Sequence, residues 1–269
     1  MGDIQRQICD KLQEIEKQHG VRILYAVESG SRAWGFASPD SDYDVRFIYV
    51  HPMEDYLRID ELRDVIEWQM DDVFDINGWE LKKTLKQFAK GNATLFEWSN
   101  SPVVYKTTDT WKEIYQTAKN FFSEKSAIGH YYGTANKTYL EYLTAECVRY
   151  KKYFYAIRPL FAANYIEKHH TIPPVLFEEL IGEDIDSGLR KAIYELLDRK
   201  KSTAEGDLTP RIPMLQEYID GELKRQKVIV EQAPDDHNPD RAKLDKCFRD
   251  VVLSSASGKQ TEFTSSVIS

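Results

Sequence analysis

The sequence predicts an α+β fold in which a small mixed sheet with flanking helices precedes an α-helical region. Short apolar and β-branched runs are confined to the first part of the chain, at residues 21–27, 42–50, 65–70 and 73–76. Helical periodicity takes over from about Thr110, and a Pro- and Asp-rich stretch at 232–240 (QAPDDHNPD) follows it. The expected division is 1–108, 109–231 and 232–269.

Each element has a local reason. Ile4, Ile8, Leu12 and Ile15 recur at helical spacing over residues 4–18, and Gly20 is placed to stop that helix. Residues 21–27 read as a buried strand. Residues 28–40 carry Gly30, Ser31, Gly35, Ser38 and Pro39, the composition of a turn and short helix, and DYDVRFIYV at 42–50 reads as the second strand. Two short strands at 65–70 and 73–76 flank an Asp71-Asp72 turn. An amphipathic helix is expected over 79–90 with Leu81, Leu85, Phe88 and Ala89 inward, then a short one over 94–98. Helices follow at 110–123, 126–157, 160–169, 175–181, 187–200 and 210–231, with a last short one to about Leu253. The Ser- and Thr-rich end, 254–269, is expected to be disordered.

Composition narrows the function classes. The chain has 269 residues, is 42% hydrophobic and 12% aromatic, and contains no apolar run long enough for a membrane helix. Cys9, Cys147 and Cys247 lie far apart and offer no zinc-binding CxxC spacing, so reduced thiols in a cytoplasm are expected. Arg6 stands where a myristoylation signal needs Ser or Thr. A net charge of -8 argues against a general nucleic-acid coat while leaving room for a local basic cleft.

The chemistry is concentrated in residues 28–50, ESGSRAWGFASPDSDYDVRFIYV, where Gly30-Ser31 precedes Asp42-Tyr43-Asp44. Side chains alternate across a strand, so Asp42 and Asp44 are expected on one face at its beginning. Two carboxylates so close repel unless a cation lies between them, and Mg2+ or Mn2+ takes oxygen ligands and bridges to phosphates. Small residues at Gly30-Ser31 let the backbone approach a phosphate, with the Ser31 hydroxyl and Arg32 as further contacts. An isolated DxD pair is also what a solvated acidic turn offers. A calcium loop fails on spacing, because Val45 stands where it needs Gly and His51 where it needs Glu.

Together with HPMEDYL, the block DINGWELKKTLKQFAKGNATLFEWSNSPVVY and KKYFYAIRPLFAANYI at 151–166, this run resembles the RNA-ligase-associated, YcgL-like family of nucleotidyltransferases, over about residues 25–170. The resemblance implies a DNA polymerase beta-type nucleotidyltransferase fold with Gly30-Ser31 at the nucleotide position and Asp42 and Asp44 as catalytic metal ligands. It suggests Asp75 as the third carboxylate. Asp71 and Asp72 compete for that role, and spacing alone does not separate them. The expected reaction moves an NMP from an NTP to an acceptor hydroxyl with release of pyrophosphate. The association with RNA ligases suggests RNA ends as acceptor, with a protein side chain, a small molecule or a non-catalytic nucleotide-binding role as alternatives.

Cations from the helical region are expected across the cleft. Lys151, Tyr155 and Arg158 share a helical face, as do His130 and Lys137, while Lys152 points about 100 degrees away from Lys151. The resemblance of the KKYFYAIRP block favours Lys152 and Arg158. Lys82, Lys83 and His169-His170 read as surface positions. The tryptophans read as core, although Trp34 and Phe36 lie close enough to the glycine turn to stack on a base.

Overall fold

The computed structural model describes residues 2–39, 41–71, 73–182, 185–202 and 208–256. Helix α1 (Asp3–His19) buries Ile8, Leu12 and Ile15 and ends before Gly20. Strand β1 (Arg22–Glu28), the short helix α2 (Gly30–Ala33), β2 (Tyr43–Val50), a turn of helix α3 (Met53–Tyr56), β3 (Val65–Met70) and β4 (Phe74–Glu80) follow. After α4 (Leu81–Phe88) and α5 (Ala93–Ser99), β5 (Val104–Thr107) completes a five-stranded mixed sheet of order β3-β4-β2-β1-β5. β2 and β4 are parallel; the other pairs are antiparallel.

The sheet is covered on both faces, as its alternation requires. Val45, Phe47, Tyr49 and Ile76 join Ile23 and Ala26 against α1. On the other face Ile48, Val50, Leu24 and Val27 pack against Leu81, Leu85 and Phe88 of α4 and Trp98 of α5. Helices α6 (Asp109–Ala118) and α12 (Ala242–Ala256) join that second cluster through Trp111, Ile114, Leu244 and Val251. A third cluster is built from α7 (Glu124–Tyr142), α8 (Lys151–His169), α9 (Phe177–Leu180), α10 (Ser187–Ser202) and α11 (Pro213–Gln232), and Phe36 reaches into it from beyond α2. Gly78 is required by the register. It lies opposite Phe47, whose ring would stand 2.1 Å from an added Cβ.

Several boundaries differ from the sequence expectation. The helix expected from Trp79 begins at Leu81, because the parallel ladder continues through Ile48 with Trp79 and Tyr49 with Glu80. The Glu80 carboxylate then accepts from Lys83 N at 3.1 Å and caps α4. The single helix expected over 126–157 is two, separated by β6 (Cys147–Arg149), which pairs with β7 (Leu208–Pro210). The break expected near residue 158 is absent. α8 runs through Pro159, and the burial of every residue from Ala156 to Ala163 outweighs the proline's local cost. Strand β5 and helix α3 are too short to show a period. The last helix extends past Leu253 to Ala256; residues 257–269 of the expected tail lie outside the described residues.

Candidate active site

Strand β1 delivers Glu28 to the lip of the sheet, and the chain turns through Ser29 into Gly30 at φ +60. Ser29 N donates to Asp44 O at 2.8 Å, which seats the turn against the start of β2. A Cβ on Gly30 would lie 2.0 Å from Asp44 Oδ2. Glycine therefore serves twice here, by accepting a left-handed backbone and by making room for a carboxylate.

The third strand of the site is β4. In the parallel β2–β4 ladder, Asp44 pairs with Asp75, so the two side chains leave the same face as neighbours. Asp75 is the carboxylate at this position. Asp71 is in the β3–β4 turn, where Oδ1 accepts from Val73 N and Phe74 N at 2.8 Å each. Asp72 lies outside the described residues. Asp42 is exposed and precedes β2 by one residue, so it belongs to the approach loop and not to the ladder.

A residue given no part in the sequence reading sits between the carboxylates. Arg46 Nη2 lies 3.1 Å from Asp44 Oδ1 and 2.7 Å from Asp75 Oδ2, while Nη1 donates to the carbonyls of Val45 at 3.1 Å and Asp75 at 2.7 Å. Asn77 Nδ2 approaches the other Asp75 oxygen at 3.3 Å. A charged residue inside the apolar run VRFIYV, two positions after Asp44, was the available signal, since alternation places it on the same face.

Glu28 also went unassigned. Its carboxylate, 1% exposed, accepts from Asp44 N at 2.7 Å and from the Tyr105 hydroxyl, tying β1, β2 and β5 together behind the turn. Burial raises it to about 7, against the opposing effect of those two hydrogen bonds. Asp44 is likewise pushed up to about 6, chiefly by burial and further by Asp42 and Asp75, with Arg46 pulling the other way. A cleft of about 380 Å3 beside the α1 amino terminus is lined by Glu28, Arg32, Tyr43 and Tyr105.

The remaining expected residues are distributed unevenly. Arg32 stacks on Tyr43, 3.7 Å from the ring centre, and donates to the carbonyls of Asp42 at 3.0 Å and Ser41 at 2.5 Å, which fixes the approach to β2. Ser31 is buried. Arg158 is buried too, paired with Glu97 at 2.8 Å, bonded to Val175 O at 3.1 Å and lying under the Trp34 ring at 4.4 Å. Glu97 also accepts from Tyr131, so α5, α7 and α8 converge beneath Trp34. Lys152 lies over the rings of Tyr142 and Tyr155, and Tyr155 meets Trp34 edge-on at 5.6 Å. Lys151 shares the first turn of α8, and Lys137 is an exposed position of α7.

The donor chemistry of Asp44 and Asp75 fits a hard divalent cation. Both offer carboxylate oxygens to one point now spanned by a guanidinium, and their mutual repulsion calls for positive charge. Among the described residues, the group with three ligand atoms within 4.8 Å of one another is Asp235, Asp236 and His237; Asp42, Asp44 and Asp75 do not form one. Asp236 caps the amino end of α7 through Ser123 Oγ and Glu124 N, which accounts for that cluster's position.

Residues 4–250 match the RNA repair pathway DNA polymerase beta family. The chain is 45% identical over 224 residues to the Bacillus subtilis (strain 168) protein named uncharacterized protein YcgL, covering 82% of this chain and 86% of that one. No helix among the described residues is long and apolar enough to cross a membrane. The mixed sheet, the glycine turn packed on Asp44 and the match over nearly the whole chain agree: the protein belongs to the RNA repair pathway DNA polymerase beta family.

Proposed function

We propose that this protein is a metal-dependent nucleotidyltransferase that moves an NMP from an NTP to an acceptor hydroxyl and releases pyrophosphate. The observation that carries the reading is the Asp44–Asp75 pairing across β2 and β4, with Gly30 packed against Asp44. Asp44 and Asp75 would hold Mg2+ or Mn2+, with the exposed Asp42 of the approach loop as the further carboxylate. Bound there, the ion would supply charge neutralisation of the triphosphate and polarisation of the phosphorus under attack.

The chain's own residues do the rest. The Gly30-Ser31 backbone lies close enough to the carboxylates to receive the triphosphate, and Arg32 holds the loop that carries Asp42. The acceptor oxygen forms a bond to the α-phosphorus as the bond from that phosphorus to the pyrophosphate oxygen breaks. The acceptor proton passes to an Asp75 carboxylate oxygen. Lys137, Lys151 and Lys152, from residues 109–231, supply positive charge to the triphosphate. Arg158 acts at one remove by fixing Trp34 at the end of the nucleotide turn.

We assign an RNA end as the acceptor. The family name supports this, and so does a local basic row in a chain of net charge -8. Lys82, Lys86 and Lys90 recur every fourth residue along and just beyond α4, and with Arg241 they line a groove of about 580 Å3. Of the five acids lining that groove, Asp64 is paired with Lys83, Asp55 with Arg58 and Glu80 is bonded to Tyr56, while Asp60 and Glu61 are exposed. The free cysteines Cys9, Cys147 and Cys247 suit a reducing cytoplasm.

The test is incubation with Mn2+, each α-labelled NTP and total RNA, following pyrophosphate and label. Label on RNA that weakens steeply with added salt is expected. Pyrophosphate release without labelled RNA moves the acceptor to a protein or small molecule, and neither signal overturns the reading in favour of a non-catalytic binding module.

A further inference from the structure

The oxygens that face each other across the site are Asp44 Oδ1 and Asp75 Oδ2, and the atom between them is Arg46 Nη2. The other oxygens are placed differently: Asp44 Oδ2 fills the space that a side chain on Gly30 would take, and Asp75 Oδ1 meets Asn77 Nδ2. A cation that bridges Asp44 Oδ1 and Asp75 Oδ2 takes the place of Nη2. The guanidinium is not loosely held there. Its fork is rigid, its side chain is 14% exposed, and Nη1 is fixed by the carbonyls of Val45 and Asp75.

We propose that Arg46 is a positioning residue of this site, a resident counter-ion that spaces Asp44 and Asp75 in the metal-free protein and is displaced by the divalent cation. The inference rests on the functional reading above for the location of the cation. Without Arg46, two carboxylates in ladder contact would repel each other and splay, since no other cationic side chain is paired with either among the described residues. With it, the pair keeps its spacing, and the cation pays for entry by releasing one ion pair from each aspartate. Arg46 thus raises the cation concentration at which the site fills and limits filling to ions whose charge outcompetes a guanidinium.

A supporting role that persists with metal bound makes the opposite prediction, so the sign of one measurement decides. Mn2+ binding is followed by the loss of the free-ion electron paramagnetic resonance signal, with no nucleotide present, for the full chain and for Arg46→Met. Displacement predicts tighter binding by the variant, by about tenfold, because the site charge becomes more negative by one and a competitor is gone. It also predicts a lower melting temperature for metal-free Arg46→Met and a larger Mn2+-induced rise than in the parent. Equal or weaker Mn2+ binding by the variant overturns the proposal.

Arg46→Lys covers the case in which the methionine variant does not fold. It keeps the charge but loses the fork, so its affinity is expected between those of the parent and the competitor-free site, and again equal or weaker binding overturns the proposal. In Arg46→Met/Asp75→Asn the gain should vanish, which assigns it to this pair; a gain that persists overturns the assignment. A protein that transfers no nucleotide but shows the affinity gain contradicts the functional reading and leaves Arg46 as inferred. Transfer without the gain does the reverse, and absence of Mn2+ binding by every protein overturns both.

Discussion

Gly30 and Asp44 are in direct contact: the space a side chain would occupy on Gly30 is filled by the Asp44 carboxylate, 2.0 Å from the would-be Cβ. Gly30→Ala must both strain a backbone at φ +60 and push the carboxylate off its position beside Asp75. The backbone cost is about 1–2 kcal/mol, which a protein of this size survives. Nucleotide transfer is expected to fall by about a hundredfold or more while the fold persists, measured as turnover alongside thermal melting. Retained turnover in a folded Gly30→Ala protein would show that Asp44 needs no fixed position.

The Glu28 carboxyl makes the stability of the metal-free protein depend on pH. Its value of about 7 lies above the ordinary 4.5, so the folded state holds the proton more tightly than the unfolded state. The stability this contributes is complete below about pH 4.5 and is lost as pH rises through about 7. Glu28→Gln removes the titration but keeps the geometry, since an amide accepts from Asp44 N and donates to the Tyr105 oxygen. Relative to the parent, the variant should gain up to about 3 kcal/mol between those pH values and hold level above them. Denaturant unfolding at pH 4.5, 6 and 8 measures it; a difference that does not grow with pH contradicts the assigned cause.

Glu28 also fixes the Asp44 backbone, so Glu28→Ala separates holding from charge. It leaves Asp44 N–H and the Tyr105 hydroxyl without their acceptor, at a cost of about 1–3 kcal/mol. Turnover is expected to drop by about tenfold or more in Glu28→Ala and to recover mostly in Glu28→Gln. Equal turnover in the two variants would remove Glu28 from the site's support.

Arg158 is expected to behave as a structural member with a functional consequence. Arg158→Met leaves the partly buried Glu97 without its cation and removes the support under Trp34, which predicts a loss of about 3 kcal/mol. Arg158→Met/Glu97→Leu should recover much of that stability, because the unpaired charge is gone. Near-native stability of the single variant would place Arg158 among the directly nucleotide-contacting groups instead.

Much of this was legible in the sequence because it is written in local patterns. Alternation and the Gly-Ser turn placed β1, α2 and β2, and the DINGWEL block put Asp75 at the end of a short strand over 73–76, whereas β4 starts at Phe74 and runs on to Glu80, which leaves Asp75 near its beginning. What separates Asp75 from Asp71 is strand pairing: only the parallel β2–β4 register brings Asp75 to Asp44, and register is a long-range property. Arg158 reads as a cleft cation from helical spacing, yet its burial depends on Glu97 and Trp34, which are remote in the chain. The break between α7 and α8 was hidden for a similar reason, since β6 exists by pairing with β7.

The most direct test of the central claim compares label transfer by the parent, Asp75→Asn and Asp71→Asn under identical Mn2+ and NTP. If the Asp44–Asp75 pair is the catalytic centre, Asp75→Asn loses transfer by about a thousandfold while Asp71→Asn, altered only in its turn, stays within about threefold of the parent. Transfer by a folded Asp75→Asn protein at the parental rate would contradict the account.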